Sequence, residues 1–340
     1  MLPHALIDLH CDTLTALSPE DAPLLEALRD PARRGDAAAC LAARVRETDT
    51  LDLPGHHFSL SAIPEGVSWC QCCAVFVPDG LSREEAAAYY DLHKNSFYRQ
   101  MEALSDKVLP CRTAADIEAA WAQGKAAAVL TVENGSVLAG RPERVETLAR
   151  DGVRMMTLTW NGENEIGSGN VTDHGLSPFG KEAVRELERQ GILIDVSHLN
   201  DKGFDDLLEI ARKPFAASHS NARAVCGHKR NLTDNQIREM VRRGCLIGLN
   251  YYNTFLREDG QPTSPEDLRR HVEHFLELGA ENCLALGSDA DGADLPAWLD
   301  GPEKFAGLYQ LFLGWGLTPS QADGVLWRNA QAFFQRNLPK

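Results

Sequence analysis

Two residues with metal-binding side chains lie two positions apart near the start of the sequence. His10 and Asp12 close the apolar run 5–12, and alternate residues of a strand project from the same face. Taken alone, such a pair is better explained by a solvated strand end. Four further apolar runs, however, end at or beside a residue of metal-binding type, namely Glu133, His198, His219 and Asp289. This repetition indicates one shared site.

The mixture of imidazoles and carboxylates indicates that this site binds divalent cations. Burying Asp12, Glu133 and Asp289 together without a cation would be costly, because like charges repel and each loses its hydration. Imidazole and carboxylate without paired thiolates suit zinc or a neighbouring first-row metal in an open, catalytic site. Three histidines and three carboxylates exceed the needs of one tetrahedral ion. The sequence therefore predicts two metals that share a bridging carboxylate.

These residues need a scaffold that brings distant chain positions together. Short apolar runs alternate with segments of helical periodicity, which is typical of parallel βα units. Residues that favour N-caps begin three helical segments, and a glycine follows the last turn of three. The N-cap residues are Thr113, Thr233 and Ser264, and the glycines are Gly191, Gly244 and Gly279. We predict strands at 5–12, 67–77, 126–133, 153–160, 192–198, 215–220, 246–250 and 283–289, and helices at 82–104, 113–123, 142–151, 180–190, 233–243 and 264–278.

This order of elements predicts an α/β fold, a single (β/α)8 TIM barrel over residues 1–340, of the metal-dependent hydrolase type. A long insertion follows the first strand at about 13–66. The carboxyl ends of barrel strands meet at one rim, which would gather the residues named above. A doubly wound open sheet is the alternative. The glycine-rich phosphate loops that would support a nucleotide-binding open sheet are missing from the sequence.

Composition bears on partners and cellular location. The 340 residues include 49 Asp and Glu against 34 Lys and Arg, and the net charge of −15 disfavours nucleic acid and anionic lipid. No apolar run approaches the roughly 20 residues of a membrane helix. The first residues lack the pattern of a cleaved leader, so we expect a cytoplasmic protein. Nine cysteines predict free thiols rather than disulfides, and Cys70, Cys72 and Cys73 are expected to pack in a strand, with a metal site as the alternative.

Six motifs spread over nearly the whole chain resemble those of the renal or membrane dipeptidases, the zinc-dependent peptidase family M19 among the amidohydrolase-like barrels. The motifs are Asp8-Leu9-His10-Cys11-Asp12-Thr13, Thr131-Val132-Glu133-Asn134-Gly135, Ile194-Asp195-Val196-Ser197-His198, Ser218-His219-Ser220-Asn221-Ala222-Arg223, Arg230-Asn231-Leu232 and Gly287-Ser288-Asp289-Ala290-Asp291-Gly292. The resemblance implies a dipeptidase in which a hydroxide that bridges two zinc ions attacks the peptide bond of a small dipeptide. Members of that family commonly pair, so a homodimer is an open expectation.

The resemblance also implies a role for individual residues. One zinc would be held by His10 and Asp12, and the other by His198 and His219, with Glu133 bridging the two ions. Asp289 corresponds to the family's acid and base residue. Arg230 corresponds to the group that binds the free carboxylate of the substrate, and a guanidinium matches a carboxylate in bidentate fashion.

One position departs from the family. Mammalian-type members carry a histidine after the fourth strand, expected to contact the tetrahedral intermediate, whereas this chain has Trp160. An indole has only one N–H to donate and cannot act as acid or base. We hypothesise that Asn161 or His174 donates a hydrogen bond to the oxyanion instead, or that the metal alone stabilises the oxyanion.

Two rival functions stay open at this point. The first is another binuclear amidohydrolase, acting on an N-acyl amino acid, a lactone or a phosphoester. Many such barrels use His-x-His on the first strand and a carboxylated lysine on the fourth, neither of which is present here. The second is a catalytically silent barrel that retains a metal site, and Trp160 is its only support.

Overall fold

The computed structural model describes residues 2–17, 50–52, 55–259 and 261–340. Residues 18–49, 53 and 54, which belong to the predicted insertion, lie outside the described residues. In the described part, nine strands form one parallel sheet. They are β1 (Ala5–Cys11), β2 (Ser68–Phe76), β3 (Val108–Cys111), β4 (Ala126–Glu133), β5 (Met155–Thr157), β6 (Leu193–Asp195), β7 (Ala216–Ala217), β8 (Leu246–Leu249) and β9 (Leu284–Leu286).

Eight of these strands close into a barrel. The strand order is β2-β1-β9-β8-β7-β6-β5-β4, and β4 pairs back onto β2 from Cys70↔Ala127 to Phe76↔Glu133. Each of the eight strands falls within one of the predicted apolar runs. The (β/α)8 barrel is therefore confirmed, and the alternative of an open sheet is wrong.

The sequence does not predict β3. This strand pairs with residues 126–129 of β4, while β5 pairs with residues 131–133 of the same strand. Only four residues long and containing Pro110, it lacks the alternation or apolar run that identifies a strand. It extends the sheet at one end of β4 without opening the ring.

Helices follow the strands and surround the barrel. Among the described residues they are α1 (Thr13–Ala16), α2 (Arg83–Ala103), α3 (Ala114–Ala122), α4 (Arg144–Asp151), α5 (Pro178–Gln190), α6 (Asp201–Ile210), α7 (Asp234–Arg243), α8 (Asn253–Leu256), α9 (Pro265–Glu277), α10 (Pro302–Gly314), α11 (Pro319–Asp323) and α12 (Asn329–Asn337). In this part of the chain, no helix combines the length and apolarity needed to cross a bilayer.

Local sequence explains where the helices begin and end. The hydroxyl of Thr113 accepts from the N–H of Asp116, and that of Thr233 accepts from the N–H of Gln236, so both predicted N-caps are confirmed. Gly191 ends α5 in the left-handed region, where glycine pays no steric penalty. This helix end leads directly into β6, which begins two residues later at Leu193.

A β-bulge in β1 turns His10 toward the barrel mouth. Asp8 pairs with Gln71 but Cys11 pairs with Cys73, so three steps on β1 match two on β2. The extra residue reverses the alternation of faces. Leu6 and Cys11 are five positions apart and would face opposite sides of a regular strand, yet both pack in the apolar cluster outside the barrel. Ile7 and Leu9, which precede the reversal, pack in the separate cluster inside the barrel.

The described cysteines are buried and none forms a disulfide. Cys70, Cys72 and Cys73 all lie within β2, and burial raises the pKa of the Cys70 and Cys72 thiols well above the usual range. The prediction of free thiols is confirmed for these residues. Packing inside the strand accounts for the cysteine cluster.

Candidate metal centre

Five strand ends bring the predicted residues to the mouth of the barrel. His10 lies near the end of β1 and Glu133 is the last residue of β4. His198, His219 and Asp289 follow the ends of β6, β7 and β9 within three residues. Three overlapping groups have ligand atoms that lie within 4.8 Å of one another, and all their members are buried: His10 with His219 and Asp289, Glu133 with His198 and His219, and His10 with Asp12 and Glu133.

Glu133 occupies the centre of this cluster. Its Oε1 lies 2.8 Å from His198 Nε2 and 3.8 Å from His219 Nε2. Its Oε2 lies 3.7 Å from His10 Nε2. On the far side, His10 Nε2 lies 3.7 Å from Asp12 Oδ1 and 4.0 Å from Asp289 Oδ1. The two oxygens of the Glu133 carboxylate therefore face different imidazoles, and the rings of His10 and His219 lie 3.9 Å apart between their centroids.

Several of these buried polar atoms lack hydrogen-bond partners among the described residues. They are His10 Nε2, His219 Nε2 and Glu133 Oε2. A buried polar atom without a partner costs about 1–3 kcal/mol, and this cost recurs here at adjacent atoms. Cations bound between them would satisfy each atom, and the donor set of imidazole and carboxylate suits a divalent metal. The residues present therefore fit a metal site.

The carboxylates control the charge of His10. Burial disfavours a charged imidazole there, but Glu133, Asp12 and Asp289 outweigh that cost and raise the pKa of His10 from 6.5 to about 10. Burial likewise opposes charge on Glu133, but the neighbouring imidazoles of His10 and His198 hold its pKa well below the usual range. Without a metal, the cluster keeps a proton on His10 that balances part of the negative charge.

The other two imidazoles are held neutral. Burial, and after it the Arg230 guanidinium, lowers the pKa of His198 from 6.5 to about 4. Burial, followed by the positive charges of His10 and Arg230, holds the pKa of His219 well below its usual range. Neutral imidazole is the form that binds a metal, so these two residues need to release no proton before binding one.

The backbone is strained at two of the site residues. His198 has φ 71° and Asp289 has φ 61°, and Asn134, which follows Glu133, has φ 87°. Residues other than glycine rarely adopt positive φ, at a cost of order 1–3 kcal/mol each. Such strain clusters at functional sites, where the surrounding structure maintains it. Here it redirects side chains just past the strand ends.

Comparison with known proteins agrees with this fold and geometry. The membrane dipeptidase family (Peptidase family M19) matches residues 1–336. The chain belongs to this family. A relative from Klebsiella pneumoniae, "Uncharacterized protein in pqqA 5'region", is 34% identical over 230 residues, which cover 64% of this chain and 85% of the relative.

Two solved structures are similar over nearly the whole length. The dipeptidase AC, a metallo peptidase of family M19, has 26% sequence identity and a TM-score of 0.83, with 98% of each chain covered. A metallo peptidase from Rhodobacter sphaeroides, liganded with a phosphinate mimic of the dipeptide L-Ala-D-Ala, has 25% identity and a TM-score of 0.84, with 98% of this chain and 99% of that chain covered. Family, fold and the buried cluster together identify a metallo-dipeptidase, and the resemblance inferred from the motifs is confirmed.

Arg230 lies buried beside the metal centre of this dipeptidase family member. Its Nε and one terminal nitrogen, Nη2, have no hydrogen-bond partner among the described residues. The guanidinium carbon lies 5.2 Å from the centroid of the Phe255 ring, a distance at which the ring attracts a cation. Burial lowers the pKa of Arg230 to about 10, although Asp289 and Glu133 oppose this shift. The Nε and Nη2 edge of the buried Arg230 guanidinium can therefore donate hydrogen bonds to an anion.

Trp160, which stands at the position of the family histidine, and the two residues hypothesised to take its role have different surroundings. Trp160 packs edge-on against Phe76, at 4.9 Å between ring centroids, and its ring lies 6.2 Å from that of His198. Asn161 Oδ1 lies 3.0 Å from His198 Nδ1 and accepts its N–H. His174 is exposed, with Nδ1 3.2 Å from Glu163 Oε2. Asn161 therefore contacts a candidate metal-binding imidazole, whereas His174 pairs with Glu163 on the surface.

The last two residues of the sixth motif, Asp291 and Gly292, shape the turn after β9. Gly292 lies against the site: a Cβ there would come within 2.1 Å of Asp12 Oδ2 and 2.5 Å of Asp289 Oδ1. Asp291 accepts from Thr13 Oγ1 at 2.5 Å and from the backbone N–H of His57 at 2.8 Å. It thereby joins the end of the insertion to this turn. Only the Gly-Ser-Asp-Ala-Asp-Gly motif marks the turn in the sequence.

Proposed function

We propose that this chain is a zinc-dependent dipeptidase that binds two metal ions. In this proposal, His10 and Asp12 hold one ion, His198 and His219 hold the other, and Glu133 bridges them. The observation that carries the proposal is the position of Glu133, whose two carboxylate oxygens face different imidazoles. A bridging ligand needs this arrangement. When bound, the ions would polarise the scissile carbonyl and make a water molecule more acidic.

Asp289 is proposed as the residue that moves the proton. Its Oδ2 accepts a hydrogen bond of 3.0 Å from Asn250 Nδ2, which fixes the carboxylate, and its Oδ1 faces His10. A carboxylate held beside the reacting water can take its proton and then transfer it to the departing amine. The same residue would therefore act as base in the first half of the reaction and as acid in the second.

Arg230 is proposed to bind the free carboxylate of the substrate. Its unpartnered Nε and Nη2 can donate in parallel to the two oxygens of one carboxylate. A substrate anchored at its C-terminus next to the metals places the adjacent peptide bond at the reacting centre. This geometry favours dipeptides over longer peptides and proteins.

Metal content and hydrolysis by purified protein test this function together. We expect about two zinc ions per chain by elemental analysis and hydrolysis of L,L or L,D dipeptides by the zinc-loaded enzyme. The Asp289→Asn variant should keep its metal and lose hydrolysis. An Asp205→Asn variant, which removes an exposed carboxylate on α6, should keep both.

The same preparation separates the rival functions. Hydrolysis of N-acyl amino acids or lactones with no dipeptide cleavage would favour another binuclear amidohydrolase. Bound metal with no hydrolysis of any of these substrates would favour the silent barrel. The cytoplasmic location and the homodimer stay predictions from the sequence, and analytical ultracentrifugation tests the second.

A further inference from the structure

A buried aspartate lies inside the barrel below the candidate metal centre. Asp195 is the last residue of β6 and shares the inward face of that strand with Leu193. Its Oδ1 accepts two backbone N–H groups, those of Ser197 and Ser218, each at 2.9 Å. Its Oδ2 accepts two hydroxyls, from Thr157 at 2.8 Å and from Ser218. All four of these hydrogen bonds are donated to the carboxylate.

Ser218 connects this carboxylate to a proposed metal ligand. Its Oγ lies 2.7 Å from Nδ1 of His219. A serine hydroxyl has one proton, and in this structure that proton is donated to Asp195 Oδ2. The hydroxyl can therefore only accept from His219, so the ring carries its proton on Nδ1. Nε2, which faces Glu133 Oε1 at 3.8 Å, is then left with a free lone pair.

We propose that Asp195 and Ser218 are positioning residues that hold His219 in the tautomer able to bind metal. This inference rests on the proposed function, because it assigns His219 as a ligand. A ligating histidine usually donates its second N–H to an outer partner that fixes its tautomer and orientation, and loss of that partner typically weakens metal binding 10–100-fold. Here the partner is a serine whose own orientation is set by a carboxylate buried one layer deeper.

The backbone around Asp195 makes one substitution especially informative. In an Asp195→Asn variant, the amide oxygen must stay against the N–H groups of Ser197 and Ser218, because both can only donate. The amide nitrogen then faces the two hydroxyls and donates to Ser218 Oγ. The hydroxyl proton turns to His219 Nδ1, and the ring proton moves to Nε2. A nearly isosteric change is therefore expected to produce the tautomer that cannot bind metal.

Thr157 offers a matched control. Like Ser218, it donates a hydroxyl to Asp195 Oδ2, and both side chains are buried. Within the described part of the chain, its side chain makes no hydrogen bond with a candidate ligand. The Thr157→Val variant thus removes one donor from Asp195 and leaves the connection between Ser218 and His219 intact.

The test measures metal affinity rather than activity. Metal-free wild type and variants are titrated with zinc against a chromophoric chelator, and cobalt loading is followed by its visible absorption. We expect the site that includes His219 to lose about 10–100-fold in affinity in Ser218→Ala and more in Asp195→Asn, with Thr157→Val close to wild type. Melting temperatures of the metal-free proteins report any general loss of stability.

The order of the effects decides the question. A merely structural role predicts the smallest effect for the near-isosteric Asp195→Asn, and equal effects for Ser218→Ala and Thr157→Val. Either result would overturn the inference, as would unchanged affinity in Ser218→Ala. If Asp195→Asn does not fold, the comparison of Ser218→Ala with Thr157→Val still decides. Failure of the wild type itself to bind metal would instead refute the proposed function.

Discussion

Adding a single methyl group at Gly292 should disable the site without unfolding the barrel. The φ of Gly292 lies outside the left-handed region, so alanine can adopt its backbone conformation. The added Cβ would nevertheless lie 2.1 Å from Asp12 Oδ2, where ordinary contact begins at 3.4 Å. The carboxylate would have to retreat by about 1.3 Å, the difference between these two distances, and Asp289 Oδ1 would be displaced as well.

The size of the effect follows from this displacement. A shift of about 1 Å at a reacting centre can cost about 100-fold in rate, so we expect kcat/KM of Gly292→Ala to fall by about that factor. Overpacking typically costs about 1–3 kcal/mol of stability, which leaves a barrel of this size folded. Metal content should also fall, because Asp12 is a proposed ligand.

The assay compares dipeptide hydrolysis, zinc per chain and melting temperature with those of Gly307→Ala. Gly307 lies within α10, and a Cβ there meets nothing within 4 Å. Alanine in a helix interior is favoured over glycine by about 1 kcal/mol, so this control should be fully active and slightly more stable. A Gly292→Ala enzyme with full metal content and the kcat/KM of the control would refute the placement of both carboxylates.

Four further outcomes are expected. Arg230→Met should lower kcat/KM for dipeptides about 10–150-fold, since hydrogen bonds to charged groups contribute about 1.5–3 kcal/mol; a C-terminally amidated dipeptide, tested as the control, should lose little from the substitution. Zinc affinity, measured by chelator competition, should rise with pH up to about 10, because the raised pKa of His10 keeps a competing proton on that ring. The same raised pKa should stabilise the metal-free protein below pH 6.5, a contribution lost as pH rises through about 10, and a flat pH profile of zinc affinity would contradict this reasoning. Asn161→Ala should lower zinc affinity and kcat about tenfold through the lost contact with His198. His174→Ala changes an exposed side chain and should retain full kcat. An Asn161→Ala enzyme with full kcat would show that this amide has no part in catalysis.

The strand ends that carry the site could be predicted because each is encoded locally. Apolar runs specify strands, caps and glycines specify where helices begin and end, and His10, Glu133 and Asp289 lie at the ends of their own runs. Eight such units in a row favour closure into a barrel, and closure gathers the carboxyl ends of the strands. The proximity of these residues thus follows from local patterns together with one general rule of topology.

Other features depend on pairing between distant segments. The bulge that turns His10 inward arises from the register between β1 and β2, and no residue in β1 marks it. Asp195 lies within one of the six motifs, but nothing in that motif identifies its partners Thr157 and Ser218, which lie 38 and 23 positions away in the sequence.

The sequence by itself determined the fold class and the types of residue that meet at the barrel mouth. Only the tertiary structure decided which oxygen of Glu133 faces which imidazole, which edge of Arg230 stays open and which glycine has no room for a methyl group. The physical reason is the distance along the chain over which each effect acts. Hydrophobic periodicity and capping act over a few residues of one segment. Contacts of a few ångströms between strand ends are instead set by the register and closure of the whole sheet.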